Sequence, residues 1–212
     1  MTIKTFVFNP FQENTYVVYD ENGEAAVIDA GCLFEEERQE LKKFIEQQGL
    51  ILKRVLNTHL HLDHIFGNKF LFDTYGLAPE AAREDEFWLD AFPQSMQAFG
   101  LAPGMGQAQA IGKYLTENQE IKIGNITFTV LSVPGHSPGS LAFYSAKDGV
   151  VFSGDALFQS SIGRTDLAQG DYATLIRAIR EKLFSLPDET VVYSGHGPET
   201  TIGAEKRFNP FL

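Results

Sequence analysis

The sequence predicts a mixed α/β fold in one domain, residues 1–212, with two β-sheets and helices packed outside them. Three observations carry this. The elements read along the chain as strands, helix, strand, helices, strands, helix, strand, an order that two sheets with outer helices satisfy. No low-complexity linker interrupts it. With 212 residues and 43% hydrophobic composition, the chain is long enough to bury a large core without disulfide staples.

The elements follow in order. Ile3–Phe8, Thr15–Tyr19 and Ala26–Asp29 are short runs rich in Val, Ile, Phe, Tyr and Thr. Asn9-Pro10 and Asn22-Gly23 separate them, as expected of a meander. From Phe34 to Gln48 the apolar Phe34, Leu41, Phe44 and Ile45 recur at helical spacing, and Gly49 stops the pattern. Ile51–Thr58 reads as a strand ending in a cluster of histidines. Residues 79–112 read as helical, with Phe87, Trp88, Phe92, Met96 and Phe99 on one broad face, followed by a loose Pro103-Gly104-Met105-Gly106 loop. That segment is expected to pack into the core or to cover a site. Strands return at Ile121–Ile123, Ile126–Val133, Leu141–Ser145 and Val150–Ser153. A helix over 171–184, capped by Asp171 and striped by Leu175, Ile176, Ile179 and Leu183, precedes a last strand, Thr190–Tyr193. Phe-Asn-Pro-Phe occurs twice, at Phe8–Phe11 and Phe208–Phe211, and is expected to form a turn each time.

The formal charge of −11 supplies no basic footprint for a phosphate backbone or an anionic membrane. Small molecules are the expected partners, not nucleic acid or membrane; the sequence leaves the oligomeric state open, a monomer being plausible. Cys32 is the single cysteine; with no disulfide to form and no leader pattern at the N-terminus, a cytoplasmic location is expected.

Chemistry concentrates in Thr58-His59-Leu60-His61-Leu62-Asp63-His64. A side-chain period of two at a strand end presents His59 and His61 together while Leu60 and Leu62 turn to the core. Asp63 and His64 follow where the chain must turn. Imidazole and carboxylate are ligands for zinc and similar divalent ions, and a catalytic site leaves a position open for water. His136, His196 and Asp155 each follow an apolar strand and come directly after a glycine, Gly135, Gly195 and Gly154. Gathered on one rim, they join the first cluster. Gly135-His136-Ser137-Pro138-Gly139 also fits the G-x-S-x-G serine elbow, but that elbow needs an N–H from the residue after the serine, which Pro138 lacks.

These motifs, with Asn9-Pro10-Phe11, the Asp29-Ala30-Gly31 turn and Gly163-Arg164-Thr165-Asp166, resemble the metallo-β-lactamase superfamily, and within it the hydroxyacylglutathione hydrolase (glyoxalase II) type. The resemblance implies a four-layer αββα sandwich. It implies that His59, His61 and His136 hold one metal ion and Asp63, His64 and His196 a second, with Asp155 bridging them beside a hydroxide. Zinc is the expected metal, with iron or manganese as alternatives. The activity it implies is hydrolysis of a thioester such as S-lactoylglutathione by attack of that hydroxide, with Asp63 and Asp155 as the catalytic carboxylates.

Longer enzymes of this type carry a helical domain with basic residues for glutathione after the last metal histidine. Here 16 residues follow His196, so the small form is expected. Arg164, with Lys206 and Arg207, is the candidate for anion binding. Two alternatives stand beside this reading. Persulfide dioxygenases of the same fold use one iron on a two-His, one-carboxylate triad, here His59, His136 and Asp155. A non-catalytic metal-binding protein could keep the fold alone. Cys32 is expected to be buried and inert, and Asp29 to orient a ligand histidine.

Overall fold

The computed structural model describes residues 1–102 and 104–212; the Pro103 part of the expected loop lies outside the described residues. One six-stranded sheet has the order β1 (Thr2–Phe8), β2 (Glu13–Tyr19), β3 (Glu24–Ile28), β4 (Ile51–Leu56), β5 (Pro79–Ala81) and β6 (Lys113–Tyr114). Its first three strands form the antiparallel meander, and β3 to β6 pair in parallel. The second sheet runs β14 (Thr200–Thr201), β13 (Val191–Ser194), β10 (Val150–Gly154), β9 (Leu141–Ser145), β8 (Ile126–Ser132) and β7 (Glu120–Ile123). Here β10 and β13 are parallel and the other neighbours antiparallel. A small hairpin, β11 (Leu157–Phe158) with β12 (Ser161–Ile162), sits after β10.

Alternation along the strands sorts side chains into layers. Tyr16, Val18, Ala26, Ile28 and Leu56 of the first sheet meet Phe128, Val130, Phe143 and Phe152 of the second. The intervening Val17, Val27 and Val55 face outward and bury Leu41 and Ile45 of helix α1 (Glu35–Gln47) and Leu71 of α3 (Asn68–Tyr75). On the far side, Ala142, Val151 and Val192 bury Leu175 of α5 (Tyr172–Ala178), Ile179 and Leu183 of the π-turn that continues it, and Ile202 of α6 (Ile202–Phe208). The result is the αββα sandwich.

Asp171 caps α5 by accepting from the Thr174 N–H at 2.7 Å, and Gly49, at φ 63°, ends the turn after α1. Both Asn-Pro segments make the same side-chain turn, Asn9 Oδ1 accepting from the Phe11 N–H at 2.9 Å and Asn209 Oδ1 from the Phe211 N–H at 3.0 Å, although Asn9 is left-handed at φ 53° and Asn209 extended at φ −70°.

Two expectations are corrected. Residues 79–112 are not one helix, because Pro79 and Glu80 pair with Val55 and Leu56 as strand β5. The helix is α4 (Phe87–Ala98) alone. It is both core and cover: Phe92 and Met96 are buried, while Trp88, Ser95 and Ala98, with Phe99 at its end, face a cavity. Strand β4 also ends at Leu56, before the histidines. His59 and His61 are therefore presented by an irregular turn leading into the short helix α2 (Leu62–Ile65). Leu60 and Leu62 anchor that turn in a cluster with Phe66, Phe92 and Met96, so the expected sorting of side chains holds without a strand ladder.

Candidate metal centre

Four segments meet at one rim of the sandwich, each just past the C-terminal end of a strand. Residues 57–64 follow β4, His136 follows β8, Asp155 follows β10 and His196 follows β13. Their strands run the same way within each sheet, so elements far apart in sequence deliver side chains to one place. Two groups form: His59 with His61 and His136, and Asp63 with His64 and His196, the donor atoms within each lying within 4.8 Å of one another. Asp155 stands between them, with Oδ1 3.4 Å from His64 Nε2 and Oδ2 3.6 Å from His136 Nε2 and 3.5 Å from His196 Nε2. All seven residues marked in the sequence are thus brought together.

Each imidazole except His61 is fixed through its Nδ1. His59 Nδ1 lies 3.0 Å from Thr58 Oγ1, His64 Nδ1 3.1 Å from Asp29 Oδ2, His136 Nδ1 2.7 Å from the Arg164 carbonyl and His196 Nδ1 3.1 Å from the Phe11 carbonyl. Their Nε2 atoms are left to face the centre, the arrangement in which outer partners orient metal ligands. His61 Nδ1 instead lies 2.8 Å from His136 Nε2.

A cation fits these residues. His59 Nε2, His61 Nε2, His64 Nε2 and Asp155 Oδ1 are buried without a hydrogen-bond partner. Such orphans cost roughly 1–3 kcal/mol each when left unsatisfied, a cost that coordination at the facing atoms offsets. A further group, Asp29 with His59 and His64, also lies within ligand distance. Asp29 is better described as support, because its oxygens already accept from the Thr58 N–H at 2.7 Å, Thr58 Oγ1 at 2.6 Å and His64. It holds φ at 51°, a left-handed conformation that short polar residues tolerate better than most.

Electrostatics split the two groups. Burial, reinforced by the neighbouring imidazoles, drives the pKa of His59 well down and that of His61 to about 3. Burial opposes charge on His64 too, yet the carboxylates of Asp155, Asp63 and Asp29 overcome it and hold its pKa well above the usual imidazole range. His196 is raised against burial by its hydrogen bond to Asp63 and by Asp155. The carboxyls of Asp63 and Asp155 are held low against burial, His64 being the largest favourable influence on each.

Gly195 is required by closeness: a Cβ there would collide with Asp155 Oδ1 and lie 2.7 Å from His64 Cε1. The backbone beside it is tied to β2, with the Asn14 N–H donating to the Gly195 carbonyl at 2.7 Å and Tyr16 Oη to the Ser194 carbonyl at 2.6 Å.

Sequence reasoning missed Asp85. It is fully buried and accepts from the Leu60 N–H at 3.0 Å, Ser137 Oγ at 2.6 Å and the Gly139 N–H at 2.6 Å. One carboxylate thereby fastens the His59–His61 turn to the His136 loop. Ser137 Oγ in turn accepts from Trp88 Nε1 at 2.9 Å. Nothing in Arg83-Glu84-Asp85-Glu86 distinguishes this acid from its solvated neighbours. Arg164 does line the cavity, but its guanidinium makes a two-point contact with Asp166 at 2.7 and 2.8 Å. Lys206 pairs with Asp188 and Arg207 donates to the Gly203 carbonyl, so both serve the α6 end of the molecule.

Two sheets sandwiched between helices, with a His/Asp cluster on the rim where strands of both sheets end, define a metal-binding αββα protein. Residues 8–196 match the metallo-β-lactamase superfamily profile, and the chain belongs to that superfamily. It is 39% identical to hydroxyacylglutathione hydrolase GloC of Haemophilus influenzae, over 100% of this chain and 98% of that one. The crystal structure of BLEG-1 B3 metallo-β-lactamase superposes with a TM-score of 0.91 at 39% identity, covering 100% and 99% of the two chains. TTHA1623 in a di-iron-bound form superposes with a TM-score of 0.85 at 37% identity, covering both chains fully. The superfamily is thus shown, and a relative within it is named a hydrolase. No helix among the described residues is long and apolar enough to cross a membrane.

Proposed function

We propose that the protein is a dinuclear metal-dependent thioester hydrolase of the hydroxyacylglutathione hydrolase type, cleaving S-lactoylglutathione to lactate and glutathione in the cytoplasm. The observation that carries this is the pair of three-donor groups on either side of Asp155. His59, His61 and His136 would hold one divalent ion and Asp63, His64 and His196 the other, with Asp155 between; zinc suits these nitrogen and oxygen donors. Bound there, the ions supply Lewis acidity, lowering the pKa of water and polarising a carbonyl.

The chain's own contribution is placement. Asp29, Thr58 and the backbone carbonyls of Arg164 and Phe11 orient the imidazoles of His64, His59, His136 and His196. Asp63 and Asp155 both line the cavity, Asp63 with Oδ2 3.2 Å from His196 Nε2, so these are the two carboxylates that face the reacting centre. The chain's −11 charge supports a small-molecule partner over nucleic acid or membrane.

Elemental analysis should give close to two metal ions per chain, and chelation should abolish hydrolysis of S-lactoylglutathione. One tightly held iron with oxygen consumption on glutathione persulfide would replace this reading with the dioxygenase. His61→Ala separates the two: it removes a ligand from a three-histidine site but leaves the His59, His136, Asp155 triad intact. Full metal content without turnover of any thioester would leave the non-catalytic binding protein.

A further inference from the structure

We propose that the cavity over the metal centre binds an apolar arm of the substrate, and that the preferred substrates are thioesters carrying an alkyl or aryl chain on a small thiol. The proposal rests on the thioester-hydrolase part of that reading and replaces its glutathione carrier with a smaller thiol. The cavity holds about 440 Å³ and opens onto His61, Asp63, His136, Asp155 and His196. The rest of its wall is almost wholly apolar: Phe11, Leu62, Trp88, Ala98, Phe99 and Leu167. Pockets of this make-up draw binding energy from hydrophobic burial and use few polar groups for orientation.

The wall is built in advance of any ligand. Phe11 is held by its N–H on Asn9 Oδ1, and Asn9 Nδ2 donates at 3.0 Å to the carbonyls of Gly31 and Asp63. The same asparagine thus fixes an aromatic of the wall and the backbone of a metal-side carboxylate. Phe99 meets Phe11 edge to face at 5.1 Å between ring centroids, yet remains 46% exposed. Trp88 is pinned by Ser137 and packs edge-on against His61 at 4.6 Å. These aromatics leave apolar surface open beside the reacting centre, where a chain could cover it. The one cation among the described lining residues, Arg164, is already engaged by Asp166, so the carboxylates of a glutathione carrier find less here than an alkyl chain does.

The test uses the metal-loaded full chain and two series of thioesters. In one, the acyl chain grows from acetyl to hexanoyl on neutral N-acetylcysteamine; in the other, the S-alkyl chain grows on a fixed acetyl group. In at least one series KM should fall by about fourfold per added methylene until the cavity is filled, the ratio set by ~0.8 kcal/mol per buried CH₂. Because the arm is remote from the reacting carbonyl, kcat should change little. Phe99→Ser should flatten that slope.

Trp88 is the only tryptophan in the chain, so its fluorescence reports occupancy without turnover. A non-hydrolysable dialkyl thioether of the same chain length should shift it and compete with substrate. Flat KM in both series overturns the proposal while leaving the hydrolase intact, as does a tenfold advantage of S-lactoylglutathione over every chain-bearing thioester. A thioether that shifts Trp88 while no thioester is cleaved upholds the apolar site and removes the hydrolase reading.

Discussion

Asp29 Oδ2 lies 3.1 Å from His64 Nδ1, and the same carboxylate takes both the N–H and the Oγ1 of Thr58, which itself touches His59 Nδ1. One buried acid at φ 51° therefore sets the ring of a ligand in each metal group. Asp29→Asn, which keeps the size and tolerates the left-handed backbone, should weaken metal binding by about 10–100-fold. Competition with a chromophoric chelator measures it; unchanged affinity would remove Asp29 from the centre.

Gly195→Ala tests how closely the last loop must approach. Its methyl group would occupy the space of Asp155 Oδ1 and crowd His64, displacing both by a fraction of an ångström or more. Activity should drop by about 100-fold or more, with metal content falling and the far-ultraviolet circular dichroism unchanged.

Asp85→Ala should cost stability as well as activity. Three buried donors, the N–H groups of Leu60 and Gly139 and the hydroxyl of Ser137, would lose their acceptor. The expected loss is on the order of 3 kcal/mol, or roughly 6–12 °C in Tm for a chain of this size. Ser137→Ala removes one of those bonds and the partner of Trp88, so it should shift Trp88 fluorescence with a smaller fall in Tm.

Metal loading should depend on pH in two steps. A histidine must lose its proton to ligate. His59 and His61, whose pKa values burial depresses, are already neutral at mildly acid pH. His64 and His196 hold their protons more firmly because carboxylates surround them. Affinity at the Asp63, His64, His196 group should therefore rise with pH through and above the ordinary imidazole value of about 6.5, while the other group fills at lower pH. Stoichiometry titrated across about pH 5 to 8 should show one ion, then two; simultaneous filling would contradict the electrostatic split.

The ligand residues were legible because metal chemistry restricts residue type: five histidines and two aspartates at strand ends have few other reasons to share that pattern. Strand β8 was legible from its alternation of Ile126, Phe128 and Val130 with Thr127 and Thr129, and β10 from its continuous apolar run Val150-Val151-Phe152. What escaped is what depends on tertiary partners. Pro79–Ala81 became a strand only because β4 offers a free edge, and α3 hides its apolar side in eight residues ending at Gly76. Asp85 reads like any surface acid in a charged run, since only the fold decides that it alone is buried. Arg164 was singled out for its charge, yet its carbonyl on His136 is what the centre uses, and any residue could supply it.

The tie between β2 and the loop carrying His196 sets an order of assembly. Glu13 bridges His196, and Asn14 and Tyr16 bind Gly195 and Ser194, contacts spanning about 180 positions of chain. During synthesis the first hairpin must wait for its partner until residues 194–197 have emerged, 196 − 136 = 60 positions after His136 completes the other group. The Asp63, His64, His196 group consequently matures last, so a nascent chain would encounter metal first at the histidines of the other group, and the second ion would arrive only as the sandwich closes.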